Sequence, residues 1–379
     1  MSLKELGDYY SPGKDYFAFN LKFLFLVGLW PSDRWSKTQV IAYRIYQYIL
    51  HILPIIYITI TAIGTYQHAA DLTVFISNLD KNVVALNFIL KYVFFTIKHK
   101  EISILICEIM YSGDKISKQC NRHMSVHTIV LTGLSLLAIT AFSGAALLNR
   151  EMVVEAWVPF DPLKNMKNLL LFAQIAAATF TPCTVRANAM QGLLCSLIMY
   201  LCEQLVEIQR RIRALTNFSG TDDELRLQIK EIIKKHVRIM GYSKSMRNIF
   251  KEYLFVQNFA ITVELCLNAL MVAVVRFEDK KLLFGFFVFL CIAIMTAYVC
   301  CYLGNELMIQ SEGIAQAAYD VAWTSWPVGL QKDLLFIIRI AQKPLTLSAG
   351  GIANLSMHTF GQALYNAYTV FAVLIDVVD

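Results

Sequence analysis

Charge is what this chain has least of. Only 16% of its 379 residues are Asp, Glu, Lys or Arg, while 57% are hydrophobic, far from the balance of a soluble domain. The stretch 126–148 (VHTIVLTGLSLLAITAFSGAALL) carries no Asp, Glu, Lys or Arg and exceeds the ~20 apolar residues that cross a bilayer. No phosphate loop, dinucleotide fingerprint, nucleophile elbow or HExxH helix occurs, so none of the chemistries those motifs carry is expected. His123 and His127 share a helix face without a third ligand nearby, which makes them interfacial polar residues rather than a metal site. No enzyme activity, metal or cofactor is expected. The net charge of +6 comes without a basic arm or an RNA-binding signature, which argues against nucleic acid. The apolar stretch Leu21–Trp30 ends at Pro31 without a small-residue cleavage site, so no cleaved signal peptide is expected.

What remains is a polytopic, all-α membrane protein. Seven spans are expected, at 38–66, 72–97, 126–148, 168–199, 254–275, 282–304 and 345–378, the fourth kinked by Pro182. With the N-terminus inside, 24 loop Lys and Arg fall on the cytoplasmic side and six outside, which favours a cytoplasmic N-terminus and an extracellular C-terminus. That orientation is opposite to the heptahelical G-protein-coupled receptors. No Asp-Arg-Tyr follows the third span, and no Asn-Pro-x-x-Tyr lies in the last. All nine cysteines fall in spans or cytoplasmic loops on this map, so no disulfide is expected. Asn217-Phe218-Ser219 is a glycosylation sequon placed inside; glycan there would invert the topology.

The organisation follows: a cytoplasmic N-terminal segment (1–37), four spans (38–199), a cytoplasmic helical anchor region (200–253), two spans (254–304), further anchor helices (305–344) and a last span (345–379). Leu225, Ile229, Ile232, Ile233, Val237 and Met240 recur at helical spacing with basic residues opposite. A second short apolar helix runs through Leu334, Leu335, Ile337, Ile338 and Ile340. These pieces are expected to pack as a platform, the alternative being an amphipathic helix lying on anionic lipid.

Charges inside spans cost about 2.5–3.5 kcal/mol each on insertion scales. Asp80 and Lys81 lie roughly 13 Å into the second span at 1.5 Å per residue, and Glu264 lies at a similar depth in the fifth. A Lys81–Glu264 pair is one reading; Lys91 and Arg186, nearer the inner boundary, are expected to snorkel. Aromatics concentrate in the outer halves of the spans: Phe75 in the second, Phe142 in the third, Phe172 and Phe180 in the fourth, and Phe284, Phe286, Phe287 and Phe289 in the sixth. With Thr140, Ser143 and Thr179 as sparse polar anchors, a cavity there suits a small neutral organic molecule. The candidate ligand-binding set is Phe75, Leu79, Phe142, Ser143 and Phe172, together with Ala176, Phe180, Met271, Phe287 and Cys291.

The last span has two stripes. Thr359, Ala363, Asn366, Val370, Val373 and Val377 recur at spacings of four and three, and bulky Phe360, Leu364, Tyr368, Phe371 and Ile375 form the other. The thin stripe serves either close helix packing or a pore lined by copies from several subunits, with valines as a constriction and Asp376 favouring cations.

The chain end resembles the insect odorant receptors. Pro344-Leu345-Thr346-Leu347-Ser348-Ala349-Gly350, Leu355-Ser356, Thr359-Phe360, Tyr368 and Phe371-Ala372-Val373-Leu374 carry the likeness. So do Tyr319, Trp323, Arg339-Ile340-Ala341-Gln342 and Gly28-Leu29-Trp30-Pro31. Gly351, where that family usually has Lys, and Asp376 depart from the pattern. The gustatory receptors' Thr-Tyr…Gln-Phe ending is absent, and the co-receptor's long cytoplasmic insertion is not seen. The resemblance implies an odour-tuned subunit of a non-selective cation channel, in the plasma membrane of olfactory neuron dendrites. It implies a heterotetramer with the odorant co-receptor, a small neutral volatile as ligand, lipid and permeating cations as further partners, and Val373 and Val377 at the gate.

Overall fold

A computed structural model of the chain describes residues 17–31, 35–275 and 280–378. The remaining residues, including Lys4, Lys14, Arg34 and Arg276, lie outside the described ones, as do the side chains of Phe284, Phe286, Phe289, Val370, Asp376 and Val377. Among the described residues ten α-helices follow in order: α1 (Ala18–Leu26), α2 (Lys37–Gln67), α3 (Leu72–Ile97), α4 (His99–Tyr111), α5 (Lys118–Asn149), α6 (Met166–Ala214), α7 (Asp222–Val275), α8 (Lys280–Tyr319), α9 (Val328–Ala341) and α10 (Met357–Val378). A two-residue antiparallel ladder, β1 (Ser348–Ala349) with β2 (Ala353–Asn354), precedes α10.

The helix starts are written locally. Ser36 caps α2 in a reciprocal box with Gln39, Asp71 caps α3, Ser117 caps α5 and Asn165 caps α6, each satisfying amide donors that the first turn leaves free. In the β1–β2 turn Gly350 and Gly351 both take positive φ, a conformation that glycine adopts without steric cost. A side chain at Gly350 would also press on Phe255, whereas a Cβ at Gly351 would meet nothing within 4 Å.

Among the described residues, five helices are long and apolar enough to cross a membrane by length and composition: Lys37–Gln67, Lys118–Asn149, Met166–Asn217, Asp222–Met271 and Leu290–Tyr319. Seven were expected. In α3, Asp80, Lys81 and several asparagines interrupt the apolar run, and α10 opens on His358, Gln362 and Asn366. The expected divisions at 199/200, 253/254 and 304/305 fall inside α6, α7 and α8, which continue without a break; α6 also runs unbroken through Pro182.

One large apolar core ties the lower ends of these helices together. Here "lower" means the α9 end of the bundle and "upper" the end carrying the segment 150–165. Leu225, Ile229 and Ile232 of α7 pack in one cluster with Leu330, Leu334 and Ile337 of α9. Leu205 and Ile208 of α6 and Leu307 and Ile314 of α8, all fully buried, complete its interior. The helices thus form a packed platform rather than isolated amphipathic pieces. Val237 and Leu335 depart from the expected faces and are exposed. The helix α4, which sequence periodicity had not separated, adds Ile102, Leu105, Ile106 and Ile109 to the same core.

At the platform's centre sits Asp114, between α4 and α5. Its carboxylate accepts hydrogen bonds from Tyr200 (2.8 Å) and Ser112 (3.0 Å), and pairs with Arg238 (2.7 Å) and Lys235 (3.3 Å). Burial alone would raise this carboxyl, but the Tyr200 hydrogen bond and the two cations outweigh it and hold it below the usual carboxylate range. Burial pulls Lys235 below the usual lysine range, an effect its contact with Asp114 offsets only in part.

Candidate functional site

Within the upper half, α3, α5, α6, α7 and α8 enclose a cavity of about 110 Å³. The face that α3 turns to it carries Asp80, Val84, Asn87 and Lys91 at positions i, i+4, i+7 and i+11. Helix α7 answers with Gln257, Ile261, Glu264 and Asn268 at the same spacing. Both patterns follow one helical face. Helix α6 contributes Phe180, Thr184, Asn188 and Gln191, and Ser135 and Ile139 of α5 with Leu290 and Thr296 of α8 complete the wall.

The polar groups are arranged in depth. At the upper end, Asn268 donates to the Asp80 carboxylate (3.4 Å) and to the Glu264 backbone carbonyl (2.7 Å). At the lower end, the Lys91 ammonium lies over the Tyr253 ring, 5.2 Å from its centroid. Gln191 donates to the Cys300 thiol (2.6 Å) and accepts from Tyr253 (3.3 Å). No disulfide joins any of the nine cysteines, all of which are among the described residues.

A second pocket, of about 220 Å³, lies between α2, α3 and α6 around Arg186. Pro54 has no N–H, so the Leu50 carbonyl lacks its intrahelical donor. Arg186 supplies one at 2.8 Å. Its guanidinium also contacts His51 (3.0 Å) and lies over Tyr92, 4.1 Å from the ring centroid; Tyr92 in turn bonds His51 (2.6 Å). Arg186→Met should leave that buried carbonyl bare and destabilise the fold by about 1–3 kcal/mol. Adding Pro54→Ala returns a backbone donor, and thermal unfolding of the double variant should recover part of the loss. Equal melting of the single and double variants would refute the pairing.

Several expectations are corrected here. Lys81 does not pair with Glu264: it donates to Ser77 (3.0 Å) and to the Val153 carbonyl (2.7 Å) of the upper segment. Lys91 and Arg186 do not snorkel but are buried, because Tyr253, Tyr92, His51 and the Leu50 carbonyl receive their charge inside the bundle. Three charged side chains, Asp80, Lys91 and Glu264, line the cavity.

Of the ten candidate ligand-binding residues, Phe180 reaches the cavity wall, where it also stacks near Tyr57 and Phe88. Phe172 and Ala176 are buried above it on α6, and Met271 packs with Phe75 and Ile76 in a separate cluster between α3 and α7. Leu79, Phe142 and Ser143 are half-buried, while Phe287 and Cys291 are exposed. The cavity's amides went unnoticed in the sequence. The signal is there, in polar residues repeating at i, i+7 and i+11 on two otherwise apolar helices.

Helix α10 packs Leu364 and Ala367 against Ile261, Leu265 and Ala297 of α7 and α8. Asn366 and Val373 of its thin stripe are exposed, with Gln362 donating to Asn366 (2.9 Å).

The chain also matches known proteins, in sequence and in fold. The family model described as 7tm odorant receptor matches residues 71–368. The chain belongs to that family. Odorant receptor 22b of Drosophila melanogaster is 24% identical over 279 residues, covering 70% of each chain. Odorant receptor 22a of the same species is 23% identical over 361 residues, covering 89% of this odorant receptor and 87% of its relative. Among solved structures, the olfactory receptor OR5 of Machilis hrabei in complex with eugenol superposes with a TM-score of 0.81, covering 94% of this chain and 97% of that one. At 17% identity that likeness establishes the fold: a largely helical membrane protein of the insect odorant receptor architecture.

Proposed function

We propose that this receptor is the odorant-binding subunit of a ligand-gated, non-selective cation channel, working with a co-receptor in a heterotetramer. Its place is the plasma membrane of olfactory neuron dendrites. It crosses seven times, through α2, α3, α5, the upper parts of α6, α7 and α8, and α10, with the N-terminus inside and the C-terminus outside. The lower platform, residues 200–253 and 305–344, is the subunit anchor. A small organic ligand occupies the cavity beneath Phe180, with Phe172 and Ala176 above it on the same face of α6. Phe75, Leu79, Phe142, Ser143 and Met271 surround its approach.

The observation that carries the channel reading is the uncovered thin face of α10. One flank of the helix is committed to α7 and α8, while Asn366 and Val373 have no cover from their own bundle. Copies of that face meeting about an axis give a polar inner path and a valine constriction built from Val370, Val373 and Val377, with Asp376 beside it. Ligand occupancy then favours the conformation in which the valines separate.

Whole-cell current separates the outcomes. Rapid inward current under volatile ligands is expected when this chain and the co-receptor are expressed together, and not from the co-receptor alone at the same ligands. A response that is slow and depends on second messengers would overturn the channel reading. Val373→Ala should raise the resting cation current of the assembly; unchanged basal conductance would remove Val373 from the gate.

A further inference from the structure

We propose that the cavity takes a small protonated amine, its cation seated between Asp80 and Glu264. This rests on the reading of the cavity as the ligand site. Three observations carry it. First, the wall holds two carboxylates against one ammonium, Lys91. Lys81, the other nearby cation, follows Asp80 in the chain but lies outside the wall, where it donates to Ser77 and the Val153 carbonyl, and Arg186 lines the separate pocket around Leu50. A buried carboxylate is costly unless it is paired at close range.

Second, the wall has acceptors to spare. Asn87 Oδ1, Gln257 Oε1 and Asn268 Oδ1 are all buried without a hydrogen-bond donor, on side chains only 6%, 4% and 5% exposed. Buried polar atoms are rarely left so, and three in one cavity call for a ligand that donates. An alkylammonium has N–H donors for these oxygens and charge for the carboxylates.

Third, the wall also has an apolar part: Phe88, Ile139, Phe180, Ile261 and Leu290. A bare metal cation would satisfy the oxygens and leave this half unfilled, whereas an amine covers both halves. The volume of about 110 Å³ limits the ligand to a single ring at most, since a cavity of about 150 Å³ accepts benzene. Cyclic secondary amines such as piperidine fit these requirements.

The test uses the full-length purified receptor, and the receptor co-expressed with the co-receptor. Piperidine and its isosteric neutral partners, cyclohexane and tetrahydropyran, are compared in thermal unfolding and in current. Wild-type protein should respond to piperidinium at a concentration about tenfold or more below either neutral partner, the effect of one charge-assisted contact of about 1.4 kcal/mol. Asp80→Asn and Glu264→Gln should each erase most of that preference. Equal or stronger responses to the neutral partners overturn the proposal, and this arm needs no variant to fold. Stabilisation by sodium over N-methylglucamine that both substitutions abolish, without any by piperidine, would make it a metal-cation site and also overturn it. The two readings fail separately. Current under neutral volatiles with no effect of piperidine sinks the amine and keeps the receptor channel. Preferential stabilisation by piperidine with no current under any volatile does the reverse.

Discussion

Asp114→Ala is expected to prevent stable accumulation of the receptor. The substitution removes the one carboxylate that Tyr200, Ser112, Lys235 and Arg238 share. Arg238 is partly exposed and can turn to water, but the Lys235 side chain is only 7% exposed and is left as a buried charge without its acid. Removing one partner of a buried pair costs about 3–5 kcal/mol, a large share of the roughly 5–15 kcal/mol that holds a typical domain together. Asp114 lies in the loop between α4 and α5 and its partners lie on α6 and α7, so its loss loosens the joint where four elements meet. Asp114→Asn keeps the acceptor for Tyr200 without the charge and should fall between wild type and Ala. Fluorescence-detected size exclusion after heating ranks the three. The Asp114 carboxyl is held low in the fold, so its contribution is fully present above the unfolded value of about 3.9 and disappears as pH falls through the lower folded value. The Ala penalty should therefore be flat from neutral to mildly acidic pH. A penalty confined to alkaline conditions would contradict the assignment.

Gly64→Ala is expected to lift the segment 150–165 off the bundle. A methyl group at this position would meet the Glu155 carbonyl and the Ala156 backbone, 2.6–2.7 Å away at Ala156, and backbone has no rotamer by which to retreat. If the segment shifts, it loses the Trp157 N–H to Ile60 carbonyl bond (2.9 Å) and the reciprocal Asn78–Glu155 pair (2.8 and 3.1 Å). The Val153 carbonyl is also withdrawn from Lys81, leaving that ammonium short of an acceptor. At about 0.5–1.5 kcal/mol for each neutral bond and about 1.5–3 for the charged one, the local cost is about 3–7 kcal/mol. Hydrogen exchange should accelerate at Trp157 and Glu155, and protease should nick the segment, while the lower platform keeps its protection. Gly144→Ala, at a glycine with nothing within 4 Å, is the matched control. If both variants behave alike, the segment is not held by its contact at Gly64.

Much of this architecture was legible in residue order. The apolar runs located most of the long helices, while the caps Ser36, Asp71 and Asn165 that begin α2, α3 and α6 are seen in the structure. The basic-faced repeat through Leu225, Ile229 and Ile232 correctly announced a buried stripe, because a helix flanked by water shows its inward face by contrast. The ends of the long helices were not legible in the same way: α6, α7 and α8 pass from apolar to polar surroundings without any backbone signal, since a helix satisfies its own hydrogen bonds in either medium.

The site was harder. Phe287 and Cys291 look like pocket residues in the sequence and are exposed in the fold, while Phe172 and Met271 are buried. In a span, the lipid-facing and core-facing sides are equally apolar, so hydrophobicity cannot tell one from the other. Polar residues do carry that information, because lipid leaves their groups unsatisfied. Asn87, Lys91, Glu264 and Asn268 pointed inward for that reason, and their spacing was readable. What residue order determined by itself was the helical, membrane-embedded class and most of the inward faces of the platform. Which polar side chains share one cavity, and that Lys81 leaves Glu264 for the Val153 carbonyl, only tertiary packing decided. Those partners lie on different helices, and no local pattern encodes which helices meet.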